Sequence, residues 1–421
     1  MKKLRYCFVL AAMLISNAVF AVDFGGLLNN LTTIKTNKDQ NFKLDQKDSA
    51  SLWFKTVFDE TGMNYFIADF IYDFERDFDA DTTTNIIDSD LFKLNFGKKL
   101  ANGKIGLSAG RFFYSDLSGL IFAQNADGIL FNYKGNRFDV SAYGAYTGLL
   151  NALNVKMITA ERGVYVRDTD RIDDVYDNSF YRFKPVEGDK DKLYDFAEQY
   201  AVGGLTVSFP NLFARQTVAA QFIGAFRLEK ELFNRMYATI SVNGPIVDSL
   251  YYNASSTFGF TKFHTNGTEI ANLSKINLDY YFSKFDSCIG ANAVYASGDR
   301  GFLMGFTGIT SINPTLSLAD IEYSGIFKFG LSSSMKILHN LQLAGACDMV
   351  YDISNGHAER PEGAYEQTGI NDSNTGFQYT ANINWQLLSD ILLSANVSQF
   401  FAKNNEDIKK TTFGIRAVVS F

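Results

Sequence analysis

The sequence predicts an all-β fold: a single antiparallel up-and-down β-barrel that crosses a membrane. Three observations predict it. Segments of about 8–12 residues alternate apolar and polar side chains along nearly the whole chain. The links between them alternate between short and long. The last segment alternates without a fault, with Phe413, Ile415, Ala417, Val419 and Phe421 on one parity and Gly414, Arg416, Val418 and Ser420 on the other.

Residues 1–21 read as a cleavable secretory signal. Lys2, Lys3 and Arg5 make a basic start without an acid, residues 6–20 are almost wholly apolar, and Val19 and Ala21 hold the −3 and −1 positions of a cut after Ala21. The apolar run is too short for a helical anchor, which takes roughly 20 residues. Cys7 lies too early to be a lipoprotein's acylated cysteine. Residues 22–421 then form the barrel. Without the three positive charges of the signal, the net charge moves from −7 to −10. That balance argues against a nucleic-acid partner. Proline is scarce, at five residues, while Phe (39) and Tyr (22) far outnumber Trp (2). Both suit a chain made of paired strands, because proline cannot donate to a ladder. The cysteines left, Cys288 and Cys347, fall on opposite parities, so a disulfide between them is not expected.

Strands are predicted, in order, over residues 22–31, 49–58, 64–77, 88–99, 104–115, 127–134, 137–147, 199–209, 214–228, 234–243, 248–261, 270–283, 287–297, 320–336, 341–352, 375–387, 391–402 and 410–421. In the third, Phe66, Ala68, Phe70, Tyr72 and Phe74 oppose Asp69, Asp73 and Glu75. In the fourth, Phe92, Leu94 and Phe96 oppose Lys93 and Asn95. In the ninth, Val218, Ala220, Phe222, Gly224 and Phe226 oppose Thr217, Gln221 and Arg227. In the sixteenth, Phe377, Tyr379, Ala381, Ile383 and Trp385 oppose Gln378, Thr380, Asn382 and Asn384. Period two puts the two sets on opposite faces. Ser, Thr, Asn, Gln and Gly are prominent on the polar set, as on a wetted lumen.

Links near 59–63, 101–103, 135–136, 210–213, 244–247, 337–340 and 388–390 are tight. Those at 116–126, 148–198, 298–319 and 353–374 are long. Short turns on one rim and long loops on the other are the habit of bacterial outer-membrane barrels, with the short turns periplasmic. Such barrels also have an even number of strands. That parity is what recruits Val22 to Leu31, a weakly patterned stretch with Gly25–Gly26, as the first of eighteen. Sixteen stays open if one hairpin has been divided too finely.

The alternating strand that ends on Phe421 resembles the terminal signature by which the barrel-insertion machinery recognises outer-membrane barrels. Ser108–Ala109–Gly110–Arg111–Phe112, Asp127–Gly128 and Tyr295–Ala296–Ser297–Gly298–Asp299 are similar to segments of the eighteen-strand substrate-selective channels, of the alginate-export and OprD-like kind. The matches are short and cover little of the chain. The resemblance implies an integral outer-membrane channel for passive diffusion of small hydrophilic solutes such as sugars, uronates or small carboxylates. It implies contact with outer-membrane lipid and the lipopolysaccharide-type surface, either as a monomer or as a trimer. It assigns no binding residue. Barrels of 16–18 strands leave an aqueous channel in any case.

Selectivity should come from charges and from infolded loops. The lumen parity carries the cations Lys55, Lys93, Arg227, Arg235, Lys275, Lys328 and Arg416, and the acids Asp69, Asp73, Asp139, Asp279, Glu322 and Asp348. They read either as a basic ladder facing acids, which would orient zwitterions or anions, or as groups that merely solvate a wide lumen. Arg111 has the parity of the lipid face, where a charge at mid-membrane costs roughly 2–4 kcal/mol. Either a bulge at Gly110 turns it inward, or it lies at the outer rim. The 148–198 loop mixes many charges with Tyr165, Tyr176, Phe180, Tyr181 and Phe183. It is either an infolded constriction or a surface loop. Asp168-x-Asp170 lacks the glycine of a calcium loop, and the pattern calls for no metal or cofactor. The three histidines, His264, His339 and His357, make a poor basis for a rim hydrolase. A closed-lumen adhesin or structural barrel is the remaining alternative to a channel.

Overall fold

The computed structural model describes residues 22–36, 42–79, 81–97, 103–164, 179–185, 188, 192–228, 233–263, 268–298, 303, 305–311, 324–353, 375–402 and 410–421. The expected signal, residues 1–21, lies outside them.

The chain opens with β1 (Val22–Thr36), β2 (Phe42–Val57) and β3 (Tyr65–Asp77), followed by β4 (Thr82–Asp88) and β5 (Phe92–Phe96). Next come β6 (Ile105–Ser115), β7 (Ala123–Lys134), β8 (Asp139–Tyr146), β9 (Ile158–Val164) and β10 (Ser179–Pro185). The middle holds β11 (Tyr200–Phe213), β12 (Gln216–Arg227), β13 (Phe233–Val247), β14 (Leu250–Phe263), β15 (Thr268–Phe282) and β16 (Ser287–Ala296). The last five are β17 (Ile326–Leu338), β18 (Leu341–Asp352), β19 (Gly376–Leu388), β20 (Ile391–Ala402) and β21 (Lys410–Ser420). The hairpin of β9 and β10 stands apart. The other nineteen strands form one sheet in which sequence neighbours pair antiparallel and β1 also pairs with β21, so the sheet closes. Because β4 and β5 are two halves of one wall strand, the barrel has eighteen strands.

Period two does what it should. Phe24, Phe70, Phe113 and Ile240, all more than half exposed, face outward, while Gln221, Arg235, Thr239 and Ser241 are buried on the inner face. With no water in the hydrocarbon layer, every backbone polar group must pair with a neighbouring strand, and closure leaves no edge. Short turns join the strands at one rim. Between β11 and β12, Ala214 and Arg215 both have positive φ, 44° and 64°, the geometry that suits the right-handed twist of a two-residue hairpin. Cys288 and Cys347 are both free.

Several boundaries differ from expectation, and three of the differences shape the site. The fourth wall strand, expected over 88–99, runs from Thr82 to Phe96 and is broken at residues 89–91. The break is sutured by Asp69, whose Oδ1 accepts the N–H groups of Asp90 (3.0 Å) and Leu91 (2.9 Å) and the hydroxyl of Ser89 (3.2 Å). The second strand starts seven residues earlier than expected, at Phe42, in ladder with both neighbours. The sixth starts at Ala123 rather than 127, so the 116–126 loop shrinks to a tight inward turn.

The seam between first and last strands is packed by aromatics over glycines. Gly26 N–H donates to the Phe421 carbonyl (2.8 Å), and Phe421 N–H donates to the Gly26 carbonyl (3.1 Å). A Cβ on Gly25 would strike the Trp53 indole, and one on Gly26 would strike the Phe421 ring. Weak patterning in this stretch is therefore a requirement for close approach.

Candidate functional site

Three connections fold into the barrel and meet. The first is the turn between β6 and β7. The Asp116 carboxylate accepts backbone N–H groups from Ser118 (2.7 Å), Gly119 (3.1 Å), Ile121 (2.9 Å) and Phe122 (3.0 Å), and the Ser118 hydroxyl as well. Gly119, at φ 70°, supplies the left-handed step. The turn reaches far along the inner wall. Leu117 N–H donates to Gln221 Oε1 on β12 (2.9 Å), and the Ser118 carbonyl lies 3.4 Å from Lys275 Nζ on β15.

The second connection follows β8. Its Val155, Met157 and Ile158 are buried, and Lys156 N–H is held by Gln124 Oε1 (2.9 Å). The third follows β16 and buries Phe306 and Ile309. The Ile121 carbonyl accepts the N–H groups of Ile309 (2.7 Å) and Thr310 (3.0 Å), and the Ile309 carbonyl accepts that of Ile158 (2.9 Å). Ile121, Phe122, Met157, Phe306 and Ile309 join one apolar cluster with inner-wall residues such as Ile223 and Tyr237. Burial of such side chains drives it, at about 1.5–3 kcal/mol each.

Arg235 on β13 pins the assembly. It is fully buried. One guanidinium nitrogen donates to the Gly308 carbonyl of the third connection and the other to the Ile158 carbonyl of the second (2.6 Å). The guanidinium also stacks over Phe233, 5.0 Å from the ring centroid. Two residues on, the Tyr237 hydroxyl donates to the Thr307 carbonyl. A buried charge needs this density of partners, since an isolated one is prohibitive.

The other residues singled out above scatter around the wall. Lys328 is paired with Asp348 (3.2 Å), and Arg227 with Glu198 (2.9 Å). Lys55 lies over Tyr65 and Lys93 over Phe112, at 4.8 and 4.9 Å from the ring centroids. Arg416 donates to Asn29 across the seam (2.5 Å). Lys275, Asp279 and Lys328 share a recess of about 280 Å³ with Asn277, Asn292 and Ser332. Asp69 is spent on the strand break. Asp73 faces inward on β3 beside Lys47 and Glu75. Asp139 opens β8 opposite Ser208. Glu322 lies outside the described residues, as do His264 and His357.

Arg111 occupies a distinct place. The expected bulge is not there: β6 stays in register with β5 and β7 through Gly110 and Arg111, although Gly110 has φ 121° and a Cβ there would collide with the Phe92 carbonyl. The Arg111 guanidinium, 15 % exposed, grips the Asp127 carboxylate with two 3.0 Å bonds. It also reaches the Ser89 carbonyl (3.0 Å) at the strand break and the Leu149 carbonyl (2.9 Å) at the rim. It ties wall to loop. Asp116, Gln124 and Tyr237 were not anticipated, and Gln221 was read only as a polar residue of the inner face. The readable trace of the first was Asp-x-Ser-Gly ahead of an apolar Leu-Ile-Phe, a turn signal feeding a burying segment.

No protein-family model and no curated protein matches the sequence. Solved structures do match. OccK5 (OpdH) of Pseudomonas aeruginosa aligns at TM-score 0.59 and 11% identity, over 95% of this chain and 98% of that one. The P. aeruginosa OccK2 (OpdF), in complex with glucuronate, aligns at 0.59 and 10%, over 95% and 98%. The outer-membrane protein OprD of the same organism aligns at 0.56 and 11%, over 95% and 93%. The chain has the fold of the OprD-type barrels. At these identities the likeness carries the architecture end to end, and the side-chain chemistry has to be read from this chain's own residues.

Proposed function

We propose that this protein is an integral outer-membrane channel through which small hydrophilic solutes diffuse passively, exported after cleavage near Ala21. One observation carries the reading: a closed eighteen-strand wall with a polar inner face is narrowed by three loops that Arg235 and Asp116 hold in fixed positions. Rings of polar groups and infolded loops are how a barrel sets what passes. The OprD-type fold supports the same reading, and so does the glucuronate bound to one of its members.

The pore-lining roles of Lys275, Asp279, Lys328 and Asp348 belong to this proposal, as do the contact with lipopolysaccharide and recognition of residues 413–421 by the insertion machinery. The test is electrical. Refolded protein in a planar bilayer should open steps of constant conductance, and deletion of residues 155–195 should enlarge them. Protein that folds, yet opens no step and lets no solute swell liposomes, would instead be a closed adhesin or structural barrel.

A further inference from the structure

Resting on the channel reading, we infer that the solute this pore favours is an uncharged polyhydroxylated molecule, a neutral sugar or glycoside, over a carboxylate of the same size.

The first ground is charge compensation. On the inner face of β1–β3 three lysines stand in pairs with acids: Lys35 with Asp45 (2.8 Å), Lys43 with Asp77 (2.7 Å) and Lys47 with Glu75 (3.0 Å). Across the lumen Lys328 is matched by Asp348. Ion pairs this close present little net field beyond a Debye length of about 8–10 Å. Four further cations of the inner wall are engaged in other ways. Lys275 lies against a loop carbonyl, Arg416 on an amide, and Lys55 and Lys93 over aromatic rings. A path that captures anions would leave such groups facing water in a row.

The second ground is the wall from β17 to β21. Strand register lines up Ser332, Ala346, Thr380, Ser398 and Thr412 at one level. At the next level it lines up Ser334, Ala344, Asn382 and Asn396. Neither level carries a charge. Hydroxyls and amides both donate and accept, so they can exchange hydrogen bonds with a sugar hydroxyl whichever way it turns. Asn382 Oδ1 is buried and has no partner among the described residues. Such an acceptor is matched by a hydroxyl donor and repels a carboxylate oxygen. The recess at the edge of this wall adds Asn277 and Asn292 beside the compensated Lys328.

Glucose and glucuronate differ by one carboxylate and separate the two classes. Single-channel current in a bilayer is recorded while each is added to one side. Glucose should interrupt the current at a concentration about fivefold or more below that needed for glucuronate, and the reversal potential in a KCl gradient should lie near zero. The double substitution Asn382→Leu with Asn396→Leu should raise the glucose concentration required by about fivefold or more, with conductance retained, as expected for two lost hydrogen bonds. If that variant does not refold, Asn382→Ala alone replaces it. Stronger interruption by glucuronate, a clear anion preference, or a glucose response untouched by the substitutions would overturn the inference and leave the channel standing. A folded protein that opens no conductance would reject the channel reading itself, and this inference with it.

Discussion

The ring of Phe421 occupies the space into which a side chain on Gly26 would project, and the Trp53 indole does the same for Gly25 on the opposite face of the seam. The two glycines let β1 lie between two aromatic covers while exchanging backbone hydrogen bonds with Phe421. Gly26→Leu should therefore overpack the seam by about 1–3 kcal/mol. The folded fraction after refolding, read from the heat-modifiable gel shift, should fall. Gly62→Ala, where nothing lies within 4 Å of a Cβ but φ is 69°, should fall less.

Arg235 should set the bore. Arg235→Met leaves the Gly308 and Ile158 carbonyls without their charged donor, each such bond contributing roughly 1.5–3 kcal/mol. The expected result is larger and noisier conductance with the barrel still folded. Arg235→Lys, which can serve one carbonyl but lacks the fork, should fall between. Conductance like that of the unsubstituted protein would show that the loops hold without it.

Asp116 should act on the same property from the other side. Its carboxylate accepts four backbone N–H groups of one turn, and Asp116→Ala orphans those of Ser118, Ile121 and Phe122, leaving Gly119 its bond to the Asp116 carbonyl. Proteolysis of the folded protein should then open a site near residues 116–122 that is protected beforehand. An unchanged cleavage pattern would rule the carboxylate out as the fastener of the turn.

Arg111 and Asp127 should show strong coupling. Arg111→Met strands a partly buried carboxylate and should cost about 3–5 kcal/mol, while adding Asp127→Asn should recover much of that loss. The four urea midpoints of a double-mutant cycle measure the difference. Additive effects would mean the pair contributes nothing as a pair.

The two cysteines report the faces of the wall. Cys288 shares the inner register with Ser334, and Cys347 the outer one with Leu331 and Tyr379. In proteoliposomes a charged maleimide should label Cys288 and spare Cys347, and a lipophilic one should do the reverse.

Much of the wall was legible because period two is local. Phe377 to Trp385 or Phe413 to Phe421 declare their faces without help from any distant residue. The β4 half-strand was passed over although Thr82–Thr83–Thr84 and Ile86–Ile87 are β-branched, because acids around Asp79 and Asp81 resemble a loop. The meeting of the loops was not legible. Ile121, Met157, Phe306 and Ile309 have no periodicity, and each buries itself against segments far away in the chain. Charges were legible as to face but not as to partner. Asp69 and Asp279 have the same parity, yet one closes a strand break and the other lines a recess.

Because Arg235 holds carbonyls of two separate loops, and the Asp116 turn leans on Gln221 and Lys275, the loops of this barrel are not interchangeable parts. Transplanting residues 116–122 or 305–311 into another eighteen-strand wall would transfer their sequence and lose their shape, unless the wall residues that hold them moved too. Diversification of such a channel would then proceed by matched changes in wall and loop, and a hybrid of two barrels would be limited by its fasteners before its strands.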